Sequence, residues 1–429
     1  MKIKITFLFL LAAFSIDAQQ IVRGPYLNSV TPTSVVIRWR TDKVVAGQVD
    51  IGTTISLGNV TKEDKPATDH EVLINGLLPA TRYYYTIRSG NTMVTASQDQ
   101  YFQTAPEKGS AAMVRVWALG DFGNSSQNQT ACRDAITKAT LDHVPDAWIW
   151  LGDNAYSYGK DSEYQKHVFR VYQESFFKNT TLYPSPGNHD YGGQIESQDI
   201  PYYKIFTLPK NGEAGGVPSG SESFYAVDYG SVHLVSLDSY GKGADGLCLY
   251  DTTSLQVRWL KKDLAANKLT WVVLYFHHPP YSKGSHDSDT EELLVKIRQN
   301  LIPVLEKYHV DLVLAGHSHE YERTHPIIGH YGKSESFDFN KHVIATADAP
   351  NQYHVNGEAQ GIIYVVNGSG GQVGGQQNGF PLQAAIYSNN TVGGSMILDF
   401  TANRLDARWI CADGVVRDQF SITKDNIIE

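Results

Sequence analysis

A chain of 429 residues is long enough for two or three domains, and its 41% hydrophobic and 19% charged residues are the balance of a globular protein. A net charge of −9 argues against nucleic acid or an anionic membrane as a partner, and requires any site for an anionic ligand to bring its own positive charge. The three cysteines, Cys132, Cys248 and Cys411, are too few and too scattered for a disulfide framework, although one pair can form in an oxidising compartment. No CxxC or Cys/His pattern is present, which argues against cysteine-ligated zinc.

The N-terminus has the pattern of a secretory signal. Lys2 and Lys4 precede an apolar run, residues 5–13, too short to cross a bilayer, and Ala18 is a suitable cleavage position. Residues 1–18 are therefore assigned as a signal peptide, which predicts a secreted or periplasmic protein; no later run is long and apolar enough to span a membrane. From 21 to 106 the pattern is all β. Val35, Ile37 and Trp39 alternate with polar neighbours, residues 48–51 and 71–74 read as short strands, and Tyr83, Tyr85 and Ile87 alternate again, with Asn75-Gly76 and Pro79 marking turns. Such spacing predicts a small sandwich.

Residues 104–110 form a polar, Pro- and Gly-containing boundary, and from 111 to 429 the pattern changes. Apolar runs at 114–119, 147–151, 271–276 and 310–315 alternate with helical segments at 131–141, 162–177, 254–266 and 290–308, which argues for α/β layers. Residues 362–420 return to short strands, and the Gly/Gln/Asn stretch 368–379 reads as a mobile loop.

Five polar clusters stand out, four of them directly after an apolar run. They are Gly120-Asp121-Phe122-Gly123, Gly152-Asp153-Asn154-Ala155-Tyr156, Gly187-Asn188-His189-Asp190, His277-His278-Pro279-Pro280-Tyr281 and Gly316-His317-Ser318-His319. Sites in α/β folds form beyond the carboxyl ends of strands, and a glycine ahead of the polar residue permits a sharp turn. Carboxylate, amide and imidazole groups are together a ligand set for hard-to-borderline metal ions. Any one cluster alone is an ordinary loop; five in order point to a site.

These clusters resemble the calcineurin-like metallophosphoesterase superfamily, and within it the purple acid phosphatases of the plant-type, two-domain form. The tyrosine of Gly-Asp-x-x-Tyr, here Tyr156, is the more specific mark, and the run from His317 through Tyr321-Glu322-Arg323 is similar to that family's Gly-His-x-His-x-Tyr-Glu-Arg. The phrase from Leu77 to Tyr85 resembles a corner of fibronectin type III-like domains. The resemblance implies a fibronectin III-like β-sandwich followed by a four-layer αββα catalytic domain. It implies two metals bridged by Asp153. Asp121, Tyr156 and His319 would complete a ferric site, and Asn188, His277 and His317 a site for divalent zinc, manganese or iron. The hard-oxygen set suits the trivalent ion and the imidazoles the divalent one.

The implied activity is an acid phosphatase hydrolysing phosphomonoesters by attack of a metal-bound hydroxide, with His189 and His286 binding the phosphate and one of them serving as acid. Asp190 is expected to orient His189, His278 to line the pocket, and His286 to lie on a flexible loop that lacks a second substrate histidine. The remaining histidines read as surface or core residues. Two rival readings stand beside this one: a phosphodiesterase or nucleotide hydrolase of the same superfamily, and a non-catalytic binding protein with a vestigial site. The sequence leaves the oligomeric state open.

Overall fold

Along strand Trp271–Tyr275, residues Trp271, Val273 and Tyr275 face one way and Val272 and Leu274 the other, and each face meets its own core. A strand buried on both sides needs cover on both sides, and the fold supplies it. The computed structural model describes residues 19–425 except 91, 95–96, 345, 350 and 356–360 and the side chains of 346–349. The assigned signal, residues 1–18, lies outside the described residues.

Two sheets stack face to face. A seven-stranded sheet contains the parallel strands Val232–Ser236, Trp271–Tyr275, Leu312–Ala315 and Ile363–Asn367. An eleven-stranded sheet contains the parallel trio Val114–Leu119, Ala147–Leu151 and Thr181–Ser185. Val116 and Ile149 of one sheet share a core cluster with Val273, Leu314 and Val365 of the other. Helix Leu255–Ala266 covers the far face of the seven-stranded sheet, where Val257 and Leu260 join Val272 and Leu274. On the eleven-stranded sheet, Trp117 and Trp148 stack at 3.9 Å and Trp148 packs edge-on to Tyr172 at 4.8 Å. These layers are the predicted helix–sheet–sheet–helix arrangement.

Helix boundaries differ from the sequence reading where capping decides them. The helix expected from 131 begins earlier, as Gln127–Ala139, because the Ser126 side chain accepts from the Gln129 amide. The segment expected to be one helix over 162–177 is helical only over 161–172, with a π-helical stretch Tyr164–Phe169. The helix expected over 254–266 is present as Leu255–Ala266, capped by Ser254.

The N-terminal sandwich has its own core of Val35, Ile37, Trp39, Val49, Tyr85, Ile87 and Phe102. Yet its first layer is not separate. Strand Ile21–Asn28 pairs in parallel with Thr181–Ser185 through Leu27 and Thr181, so that layer continues the eleven-stranded sheet. Polar contacts fasten the junction: Arg23 to Asp161 at 3.0 Å, Arg40 to Asp161 at 2.6 Å, and the Tyr183 hydroxyl donating to the Val30 carbonyl at 2.9 Å. The C-terminal strands serve both sheets, with Ala385–Asn389 in the seven-stranded one and Gly394–Phe400, Arg404–Cys411 and Val416–Lys424 in the other.

Cys132, Cys248 and Cys411 are all unbridged, the first and last of them buried. Two histidines outside the motifs are core residues with partners. His70 stacks on Trp39 at 4.6 Å and meets Glu63 at 2.6 Å. His233 is clamped between Asp228 at 2.6 Å and Asp263 at 2.8 Å, while Lys108 pairs with Asp228 from outside at 2.7 Å. Burial pulls His233 down, but the two carboxylates outweigh it and lift the imidazole to about 9. Among the described residues no helix is long and apolar enough to cross a membrane.

Candidate metal centre

The parallel strands of both sheets end at one place, and the five clusters follow those ends. Strand Val114–Leu119 delivers Asp121, Ala147–Leu151 delivers Asp153, and Thr181–Ser185 leads to Asn188 and His189. From the other sheet, Trp271–Tyr275 delivers His277 and Leu312–Ala315 delivers His317 and His319. Asp121, Asp153 and His317 all adopt left-handed backbone, with φ of 56°, 50° and 68°. Non-glycine residues hold that conformation only when their surroundings impose it, and it turns each side chain back across the strand end. Gly152, at φ 86°, is the close-approach position: a Cβ there would lie 2.6 Å from that of His277.

The seven predicted ligands form two groups with Asp153 between them. On one side the Tyr156 hydroxyl donates to Asp121 Oδ1 at 3.0 Å, and His319 Nε2 lies 3.7 Å from the same oxygen. On the other, His277 Nε2 lies 3.1 Å from Asn188 Oδ1, 3.2 Å from His317 Nδ1 and 3.2 Å from Asp153 Oδ2. Ligand atoms of Asp121, Asp153 and His277 lie within 4.8 Å of one another, as do those of His277, His278 and His317. His277 Nδ1 donates to the Leu151 carbonyl at 2.9 Å, which leaves Nε2 facing the centre.

The electrostatics of this cage call for cations. Burial raises Asp121 well above the usual carboxylate range, with Asp153 adding to the effect against His277. Burial, Asp121 and Asp153 lift the Tyr156 phenol well above its usual value. Burial drags His317 down to about 3 and His319 to about 4, so both imidazoles are neutral with lone pairs to give. His277 is the exception, raised to about 9 because Asp153 and Asp121 overcome its burial. Two of the oxygen donors, Asp121 and Tyr156, thus resist ionisation and two imidazoles resist protonation, whereas burial of Asp153 is outweighed by His277 and His189, which hold it below the usual carboxylate range. Such a set fits bound metal ions, whose charge lets the remaining oxygens ionise.

His189 and His286 keep 37% and 33% of their side chains exposed, against 22% for His319 and none for His277, so they are the imidazoles of the site most open to a ligand. The expected role of Asp190 is corrected. It does not touch the His189 ring, whose Nδ1 donates to the Ser157 carbonyl at 2.6 Å. Asp190 turns inward, accepting from Tyr164 at 2.5 Å, from the Gly187 amide at 2.8 Å and from Asn154 Nδ2 at 3.0 Å, and so pins the Asp153 and Asn188 turns together. His278 lines the interior as expected, its Nδ1 on Ser239 Oγ at 2.9 Å and its ring 4.3 Å from that of His317.

The loop carrying His286 is braced rather than free. The Ser318 hydroxyl accepts from the His286 amide at 3.1 Å, Glu320 from the Ser285 amide at 3.1 Å and Glu322 from the Lys283 amide at 2.9 Å. The stretch read as a mobile loop, 368–379, is likewise fastened to the centre. Gly374 donates to the His319 carbonyl at 3.0 Å, Gln377 to that of Lys283 at 2.9 Å, and Gly370 to that of Gly120 at 3.3 Å. Its glycines permit that approach: a Cβ on Gly368 would lie 2.7 Å from Asp121 Oδ2.

Strand Tyr321–Thr324 explains the Tyr-Glu-Arg run. Its alternation sends Glu322, like Glu320, toward the His286 loop, and sends Tyr321 and Arg323 the opposite way onto Asp418. Arg323 grips Asp418 through two bonds of 2.6 and 2.8 Å with both side chains buried. Burial, reinforced by the charge of Glu322, pushes the Glu320 carboxyl up to about 8.

One residue beside the site escaped the sequence reading. Glu291 accepts from His286 Nδ1 at 2.9 Å and lies 3.8 Å from His317 Nε2, while the His286 and His317 rings stack at 3.7 Å. The acidic stretch from Asp287 to Glu292 was visible, but nothing in it singles out Glu291. Only the fold diverts Asp287 and Asp289 to Lys283, at 2.7 and 3.0 Å, and returns Glu291 to the histidine.

Residues 114–321 match the model of the calcineurin-like phosphoesterase family, and residues 23–104 match that of the purple acid phosphatase N-terminal domain. The chain is similar to purple acid phosphatase 23 of Arabidopsis thaliana, 32% identical over 291 residues that cover 60% of this chain and 58% of that one. It is 27% identical over 267 residues to a purple acid phosphatase of Glycine max, covering 59% of this chain and 52% of that one. The match thus spans little more than half the length of these relatives. Among solved structures, that of purple acid phosphatase PPD1 from yellow lupin (Lupinus luteus) seeds superposes with a TM-score of 0.72 at 20% identity, over 94% of this chain and 74% of that one. The structure of PhoD superposes at 0.66 and 14% identity, over 93% and 90%.

Proposed function

Since the chain belongs to the purple acid phosphatase family of calcineurin-like phosphoesterases, we propose that it is an exported, metal-dependent acid phosphatase that hydrolyses phosphomonoesters. The observation that carries this is the convergence of seven donor side chains from five strand ends, split into two groups that share Asp153. Asp121, Tyr156, His319 and Asp153 would hold ferric iron. Asn188, His277, His317 and Asp153 would hold divalent zinc, manganese or iron, in keeping with the hardness of each donor set. Bound there, such a pair would supply Lewis-acid charge to a phosphate ester and lower the pKa of water.

The chain's own residues do the rest. His189 and His286 flank the centre from two different loops, each with Nδ1 committed to an acceptor, Ser157 O and Glu291 respectively. Nε2 of each ring is then the nitrogen free to donate to a phosphate oxygen or to the departing alkoxide. Glu291 fixes the ring plane of His286 against that of His317. The positive charge absent from the acidic chain as a whole would come from the ions.

The test is metal analysis combined with hydrolysis of p-nitrophenyl phosphate and bis-p-nitrophenyl phosphate. The expected result is two metals per chain, turnover of the monoester in preference to the diester, and a visible absorption band from tyrosinate on ferric iron. Tyr156→Phe should abolish the band while leaving much of the metal bound. Metal-replete protein inactive on both esters would overturn the proposal, and preference for the diester would replace it with the phosphodiesterase reading.

A further inference from the structure

Two loops that follow strand ends on the ligand side and the short helix Glu292–Lys296 meet around a cavity of about 280 Å3. Its wall is made by Ile195, Tyr240, Tyr250 and Leu293, all of them half-buried, with Cys248. A chain of ring contacts joins it to the centre, and the polypeptide itself runs from it to a residue of the site. The Tyr240 ring stacks on His278 at 5.7 Å, and His278 packs against His317 at 4.3 Å. Leu293 stands two residues after Glu291, the carboxylate that holds His286. The loops are tied across one side of the cavity by the Lys242 amide donating to the Ile195 carbonyl at 2.9 Å and by Lys242 pairing with Glu196 at 2.6 Å.

The charged groups at its edge satisfy each other. Glu292 and Lys296 pair at 2.6 Å, and the Lys296 ammonium sits 4.8 Å over the Tyr250 ring. Among the described residues no unmatched cation is left there for a second phosphate, and what remains to contact a ligand is apolar and aromatic. The volume is slightly below the range of about 300–1,000 Å3 typical of pockets for drug-sized ligands, which suits a single ring or short branched chain. We propose that this cavity receives the organic part of the phosphomonoester and gives the enzyme a preference for aromatic esters over polyol esters. The proposal rests on the phosphatase reading above and adds the class of substrate to it.

The experiment compares phenyl phosphate with glycerol 2-phosphate on metal-loaded wild type, Leu293→Asp and Ile195→Asn, with inhibition by inorganic phosphate measured alongside. Wild type should favour phenyl phosphate. Each variant should lower kcat/KM for phenyl phosphate about tenfold, the scale on which a hydrophobic pocket discriminates. Glycerol 2-phosphate turnover, phosphate inhibition and metal content should stay unchanged. Two variants on different elements, one on a loop and one on the helix Glu292–Lys296, guard against one of them disturbing the fold. If both esters slow equally, or if neither variant alters their ratio, the cavity is not the ester pocket and the phosphatase reading survives. Wild type that hydrolyses neither ester would remove the phosphatase reading and this proposal together.

Discussion

Replacing His233 by Gln tests whether a buried charge cluster beneath the seven-stranded sheet sets the alkaline limit of stability. The imidazole is 1% exposed and held by Asp228 and Asp263, which lift it to about 9 against 6.5 for a free histidine. A folded-state value above the unfolded one means that the stabilisation is complete below pH 6.5 and is lost as pH rises through about 9. Two and a half units correspond to about 3 kcal/mol, a sizeable part of the net stability of a domain. At roughly 2 °C per kcal/mol for a large domain, wild type should melt about 6 °C lower at pH 9.5 than at pH 6 from this group alone. In His233→Gln that pH dependence should flatten. The variant should already be destabilised at pH 6, because Asp228 and Asp263 then face each other without the cation, leaving only Lys108 on the outer side. Scanning calorimetry at a fixed rate and constant metal load reads both effects. Equal slopes in the two proteins between pH 6 and 9.5 would refute the assignment of a charged His233.

Asp418→Leu leaves Arg323 buried without its carboxylate partner and should cost about 3–5 kcal/mol, whereas Arg323→Met combined with Asp418→Leu should recover most of it, as thermal melts of the three proteins would show. Asp153→Ala should lose both metals and Asn188→Ala mainly the divalent one; elemental analysis after gel filtration would contradict a bridging Asp153 if the two variants lost metal alike. Glu291→Gln should reduce kcat/KM for p-nitrophenyl phosphate by about tenfold with metal content intact, the usual scale for a residue that orients a site imidazole. An unchanged rate would make Glu291 a bystander.

Much of the centre is legible in the sequence because its residues sit at strand ends. An apolar run followed by Gly-Asp or Gly-His declares both the strand and the turn, and once parallel strands are assumed their ends must converge. Partners chosen by tertiary geometry are not legible. Asp190 follows His189 directly, yet the short helix Asn188–Tyr191 points its carboxylate inward to Tyr164 and Asn154. The glycines of 368–379 look like freedom, but they allow the chain to lie against Asp121 and His319. Glu291 is one acid among several until Lys283 claims its neighbours. The same limit applies to the sandwich, whose strands show by their period but whose first strand finds its partner some 150 positions later.

That long-range pairing bears on how the chain is made. During synthesis the sandwich emerges first, and it can bury its own core of Val35, Trp39, Tyr85 and Phe102 while the rest is still being translated. Its strand Ile21–Asn28 must then wait with one edge unmatched until Thr181–Ser185 leaves the ribosome. An open strand edge invites the wrong neighbour, including the same edge on another nascent chain. The arrival of Thr181–Ser185 closes that edge and caps its own in one step. A fragment that ends before residue 181, or a catalytic portion expressed without the sandwich, should carry an unprotected edge and be prone to aggregate. The sandwich thus shields the assembly of the sheet on which Asp121, Asp153 and Asn188 are mounted, before any metal is acquired.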